Sequence, residues 1–132
     1  MSARDQELGR AELEVLKTLW QHGPATVRQV LEHMQAAGRR VAYTTVQTFL
    51  TRLEQKGFVA CDKRELAHVF RAKVRRDQVI RSRLRDLLDE LYDGAAGPLV
   101  LQLLQHHRLT PQEVDELHEL IERLDPQPPS SD

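Results

Sequence analysis

Cysteine is almost missing from this 132-residue chain, which has one, Cys61. A lone thiol excludes an intrachain disulfide and any multi-cysteine zinc site, and Cys61 reads as a buried or indifferent side chain. Long apolar runs are missing too, with no segment near the roughly 20 residues a membrane span requires. Met1-Ser2-Ala3-Arg4-Asp5-Gln6-Glu7 carries charges where a signal peptide would place its apolar stretch. The expectation is a soluble, cytoplasmic protein without a membrane partner. There is no Gly-rich phosphate loop, no Ser-His-Asp order and no paired carboxylate in an apolar setting, so neither an enzyme reading nor a cofactor has support. His106 and His107 are neighbours and point differently on a helix, while His22, His33, His68 and His118 are scattered. No metal site is expected.

Excess charge is also lacking overall, with a formal net charge of -1. Divided, the chain is polar in another sense: residues 1–73 hold 12 Lys/Arg against 8 Asp/Glu, and residues 74–132 hold 7 against 12. A basic half suits a polyanion, and an acidic, leucine-rich half suits pairing with protein. Between positions 39 and 64, Arg39, Arg40, Arg52, Lys56, Lys63 and Arg64 face only Glu54 and Asp62, a pattern resembling a phosphate-contacting footprint.

What the chain does have is a helix with two unlike faces, Tyr43 to Leu53. Val46, Phe49, Leu50 and Leu53 follow i, i+3, i+4, i+7 spacing, while Thr44, Thr45, Gln47, Thr48, Thr51 and Arg52 occupy the remaining circumference. Four threonines on one short helix cost propensity compared with Glu or Lys. Reading base edges explains the cost: Thr offers a hydroxyl and a methyl, Gln pairs with adenine in a two-point contact, and Arg does so with guanine or reaches a phosphate. Tyr43 either touches a phosphate or packs its ring at the helix start. Lys63, Arg64, Arg39 and Arg40 are either phosphate contacts or solvated charges.

Around this segment the spacing predicts helices over Arg10–Gln21, Val27–Ala37 and Tyr43–Lys56. Gly23-Pro24, Gly38 and Gly57 stop them in turn, and Thr26 caps the second. Phe58–Asp62 and Ala67–Ala72 then alternate as a β-hairpin whose tip is Lys63-Arg64-Glu65-Leu66, although the turn lacks Asn-Gly or Asp-Gly. Three helices followed by a basic hairpin give a winged helix-turn-helix over residues 1–74. Further helices are expected over Asp77–Tyr92, over Leu99–Leu104 after a break at Asp93–Pro98, and after Thr110-Pro111-Gln112-Glu113, a capping box with proline at its first position. Their apolar stripes are Val79, Ile80, Leu84, Leu87, Leu88 and Leu91, then Leu99 and Leu103, then Val114, Leu117, Leu120, Ile121 and Leu124. Such stripes without a central element to cover predict homodimerisation through residues 75–125. Residues 126–132, rich in proline and serine, are expected to be a disordered tail. The fold class is therefore mostly α with a small β-hairpin.

Leu13-Glu14-Val15-Leu16-Lys17-Thr18-Leu19-Trp20, the run from Thr44 to Gly57, and Leu91-Tyr92-Asp93-Gly94 with Leu99-Val100-Leu101 together resemble the penicillinase-repressor family of BlaI, MecI and CopY type, over about residues 8 to 124. The resemblance implies a homodimeric repressor with a double-stranded DNA operator of dyad symmetry, and places recognition contacts on Thr44, Thr45, Gln47, Thr48 and Arg52. The family often has a basic residue where Gln47 stands. It also implies a regulatory protease acting near Leu101-Gln102-Leu103, although the best-known members have Asn-Phe where this chain has Gln102-Leu103. The cysteine cluster of the copper-responsive branch is missing. Two other readings stay open: a protein-interaction adaptor using the winged-helix surface, and a repressor whose small ligand or metal docks between dimer helices.

Overall fold

A computed structural model of the chain describes residues 8–124, so the tail expected over 126–132 lies outside the described residues. The element order is α1 (Arg10–His22), β1 (Ala25–Thr26), α2 (Val27–Ala36), α3 (Tyr43–Gln55), β2 (Val59–Asp62), β3 (Val69–Ala72), α4 (Arg76–Leu91), α5 (Ala96–His106) and α6 (Pro111–Arg123). Contacts divide the chain into two compact units that meet between Asp86 and Leu87.

Local chemistry sets the boundaries of the first unit. Glu12 reaches back so that its Oε1 accepts the Gly9 N–H at 2.9 Å, closing the start of α1. Thr26 and Gln29 cap α2 reciprocally, the Thr26 hydroxyl accepting the Gln29 N–H at 3.2 Å and the Gln29 side chain accepting the Thr26 N–H at 2.9 Å. At the far ends, Gly38 at φ 86° and Gly57 at φ 87° turn the chain out of α2 and α3 in the left-handed region. These turns let Arg39 N–H bond Met34 O and Phe58 N–H bond Leu53 O, each at 2.9 Å.

The expected hairpin is real, and it is joined by a strand that the sequence did not announce. The sheet has the order β1-β3-β2, all antiparallel, with Ala25 opposite Phe70, Thr26 opposite Val69, and Cys61 opposite Phe70. Two residues are too few to show a period, and Thr26 is both the strand's end and the helix cap. Both hairpin strands are shorter than expected: β2 starts one residue later, at Val59, although Phe58 O still accepts the Lys73 N–H at 2.8 Å, and residues 63–68 form the wing tip.

Val15, Leu16, Val30, Val46, Leu50 and Leu53, all at 0% exposure, form the centre of the core, with Phe58, Val59 and Phe70 covering them from the sheet. Burying a side chain of this size contributes roughly 1.5–3 kcal/mol, so α3 is held mainly by its stripe rather than by its own propensity. Two longer-range bonds lock the junction with α4: the Trp20 indole N–H donates to Val74 O at 2.8 Å, and Arg83 donates to Leu8 O at 2.7 Å.

In the second unit, Thr110 and Glu113 form the expected capping box, with Thr110 N–H on the Glu113 carboxylate at 2.8 Å and Glu113 N–H on the Thr110 hydroxyl at 3.1 Å. None of α4, α5 or α6 has a fully buried residue.

Candidate nucleic-acid interface

The reading face of α3 is built from the inside outwards. Val46, Leu50 and Leu53 are fully buried and Phe49 half-buried, and a helix that fixes one stripe fixes its opposite side as well. Thr44, Thr45, Gln47, Thr48, Thr51 and Arg52 are all exposed. The Thr48 hydroxyl donates to Thr44 O at 2.9 Å, so its proton is committed while its oxygen and methyl remain available. Tyr43 stands at the helix start, 39% exposed, with the Arg28 guanidinium 5.0 Å from its ring centre. Its ring is not packed into the core. Arg52 lies 5.9 Å over the Phe49 ring.

The basic residues flanking this face separate into two groups. Arg39 pairs with Glu14 at 3.2 Å and Lys63 with Glu54 at 3.7 Å. Arg64 grips Asp62 through both Nε and an Nη at distances down to 2.7 Å, while its backbone N–H donates to Asp62 Oδ1 at 3.0 Å. Hydrogen bonds from the Arg64 side chain, and then from its backbone, hold the Asp62 carboxyl down to about 2. All three pairs include an exposed cation, and such pairs exchange partners at little cost. Arg28, Arg40 and Arg52 have no carboxylate partner among the described residues.

Lys56 corrects the footprint inferred from sequence. Its ammonium lies 2.8 Å from both oxygens of Glu12, a residue only 5% exposed, so it belongs to the packing of α1 against the end of α3. Burial pushes the Glu12 carboxyl up, but the Lys56 and Gly9 hydrogen bonds and the charges of Lys56 and Arg52 outweigh this and leave it below its ordinary value. At Cys61, burial and then the Glu54 charge push the thiol up, which keeps it protonated and unreactive at neutral pH.

A groove of about 480 Å³ runs beside the face, lined by Arg28, Tyr43, Gln47, Thr51, Lys63 and His68 among others. Arg28 is the residue that sequence reasoning missed. Nothing local marks it, because its position depends on α2 starting opposite the start of α3. The histidines are less scattered than expected, since His22 and His33 stack with ring centres 3.7 Å apart. Among the described residues, no group of three or more His, Cys, Asp or Glu converges as a metal site would need.

The apolar residues assigned to dimerisation divide by position. Val79 packs against the core of the first unit. Leu87, Leu88, Leu99 and Leu117 are half-buried, whereas Ile80, Leu84, Leu91, Leu103, Val114, Leu120, Ile121 and Leu124 are exposed. Leu101, Gln102 and Leu103 lie within α5, on exposed helical backbone.

A helix-turn-helix, an antiparallel wing and a hydroxyl-rich exposed face make a winged-helix reader of duplex DNA. The profile of the penicillinase repressor family matches residues 8–123. The chain belongs to that family. Its relatives include the penicillinase repressor of Bacillus licheniformis, 27% identical over 88% of this chain and 90% of that protein. The transcriptional regulator BlaI of Mycobacterium tuberculosis (strain CDC 1551 / Oshkosh) is 35% identical over 75% of this chain and 72% of that protein. The methicillin resistance regulatory protein MecI of Staphylococcus aureus (strain N315) is 24% identical over 93% of this chain and 99% of that protein. Among solved structures, the YusO protein from Bacillus subtilis is similar at a TM-score of 0.49 with 22% identity, covering 92% of this chain and 77% of that one. As a penicillinase repressor family member, the chain is a DNA-binding transcriptional regulator with a winged-helix fold, not an enzyme. Among the described residues, no helix is long and apolar enough to cross a membrane.

Proposed function

We propose that the protein represses transcription as a homodimer seated on a dyad-symmetric operator, one α3 helix entering a major groove in each half-site. The observation that carries the reading is the exposed, nearly uncharged side of α3, pinned from behind by Val46, Leu50 and Leu53. Thr44, Thr45, Gln47, Thr48, Thr51 and Arg52 read bases or the adjoining backbone. Arg39, Arg40, Lys63 and Arg64 supply phosphate contacts once three of them exchange their carboxylates for the backbone. The dimer rests on the exposed apolar side chains of α4 to α6, which an isolated molecule leaves in water. Two-fold symmetry then sets the half-sites about one helical turn apart, roughly 34 Å, or somewhat more. The place of action is the cytoplasm, with the DNA.

Relief by a regulatory protease at Leu101–Leu103 fits this scheme only if α5 opens first, because a protease binds extended chain and this stretch is helical.

Binding of the intact protein to genomic fragments, followed by mobility shifts on the recovered operator, tests the reading. Gln47→Ala should lose roughly 1–3 kcal/mol of discrimination at one base pair in each half-site. Unchanged relative affinities for mismatched operators would remove Gln47 from the reading face, and a wild-type protein that retards no duplex would end the proposal.

A further inference from the structure

We propose that the groove between the start of α2, the exposed side of α3 and the wing is a channel for one strand of the DNA backbone, and that Arg28, parked on Tyr43, pins a phosphate in it. The inference rests on the operator-binding reading above and adds an anchor to it from outside the recognition helix and the wing.

Three observations converge on Arg28. The first is its place: it lines the same groove as Gln47 and Thr51 of the reading face and Lys63 of the wing tip, so a strand whose bases meet α3 passes within reach of it. The second is its bonding. Arg64 has its guanidinium edge on Asp62, Arg39 is on Glu14 and Lys63 is on Glu54. Arg28 instead lies 5.0 Å from the centre of the Tyr43 ring. A guanidinium held by a ring and by no carboxylate keeps N–H groups available for the two oxygens of a phosphate. The ring also restricts a long side chain before any ligand arrives, and this lowers the ordering cost of binding.

The third observation is electrostatic. Arg28 is in the first turn of α2, which has no acidic residue. A positive charge there opposes the helix dipole, whose N-terminal end favours anions. Folding alone gives no return for this placement beyond one ring contact. A phosphate in the groove would satisfy the guanidinium and the helix end together.

The test uses the full-length protein on its recovered operator and on random duplex, with the salt dependence of binding as the readout. Arg28→Ala should weaken every duplex by about the same factor, on the order of 10-fold. The slope of log affinity against log salt should become shallower by about 0.9, with the ranking of operator variants unchanged. Arg28→Lys keeps the charge and should restore the slope with only part of the affinity. Tyr43→Ala should cost about 2- to 5-fold at an unchanged slope, and Tyr43→Phe should match wild type, because the ring rather than the hydroxyl seats the guanidinium. Circular dichroism melts check that each variant is folded, which the exposure of Arg28 favours. An Arg28→Ala protein with wild-type slope and affinity overturns the proposal. So does one whose operator ranking changes, since Arg28 would then read a base, and a Tyr43→Phe protein as weak as Tyr43→Ala overturns the role of the ring. Loss of duplex binding by wild type itself would remove the parent reading and this one with it, an outcome distinct from any failure confined to the variants.

Discussion

Replacing Lys56 with methionine would leave a carboxylate stranded in the interior. The Glu12 side chain is 7% exposed and that of Lys56 21%, and both Glu12 oxygens lie 2.8 Å from the ammonium. Removing one partner of a buried pair costs about 3–5 kcal/mol, because the remaining charge keeps its desolvation without its compensation. Lys56 is partly wet, so the expected loss is at the low end, about 3 kcal/mol, against a total stability of about 5–15 kcal/mol for a domain. Urea unfolding followed through Trp20 fluorescence measures it. The double variant Glu12→Gln/Lys56→Met has no stranded charge and should recover part of the loss, which isolates the coupling from general damage.

The pH dependence provides a second check on the same pair. In wild type the Glu12 carboxyl lies below its ordinary 4.5, so its contribution is fully present above pH 4.5 and disappears as pH falls through the lower, folded value. In Lys56→Met, burial is opposed only by the Gly9 hydrogen bond and the Arg52 charge, so the carboxyl moves up from its wild-type position and the variant forfeits the part of the stabilisation that Lys56 supplied. The gap between the two proteins should therefore widen as pH rises from the wild-type carboxyl's titration through that of the variant. A penalty under about 1 kcal/mol, the range of an exposed pair, would show that Glu12 is not stranded without Lys56, and so would a gap independent of pH.

Other perturbations probe separate parts of the molecule. Leu120, 54% exposed, should be apolar interface in the dimer, so Leu120→Asp should raise the dimer dissociation constant at least 10-fold in sedimentation equilibrium while leaving the melting of the first unit in place. Trp20→Phe removes the donor to Val74 O, held at 2.8 Å, and should lower stability by about 1 kcal/mol in thermal melts followed by circular dichroism. Asp62→Asn releases the Arg64 guanidinium from its carboxylate, so binding to random duplex should tighten at low salt, with a slope steeper by up to about 0.9.

Much of the fold is legible in the chain because the signals that set it are local. Most helices are marked by an i, i+3, i+4 stripe and ended by a glycine or begun by a cap, as at Thr26, Gly57 and Thr110, and such signals act within one turn of backbone. β1 is not legible, since a two-residue strand owes its existence to Phe70 and Val69 of β3 rather than to a pattern of its own. Val79 reads as part of a dimer stripe but packs on the first unit's core, because the spacing that identifies an apolar face does not say which surface covers it.

Charge divides the same way. The exposed side of α3 follows from helical spacing, and all six of its residues lie where the period puts them. What each cation does follows from tertiary distance, and a count of lysines and arginines cannot supply that. Lys56 and Glu12 are 44 positions apart and neutralise each other where α1 packs against the end of α3. Arg64 and Asp62 are two apart, which a sequence would offer as a turn, yet the pair occupies the fork of the most prominent wing arginine. Arg28 looks like any first-turn residue until the start of α3 brings the Tyr43 ring beneath it. A basic balance between positions 39 and 64 thus overstates the charge free to meet a phosphate at the outset. With exposed pairs contributing little, DNA competes for Arg39, Lys63 and Arg64 at small cost, while Lys56 stays inside.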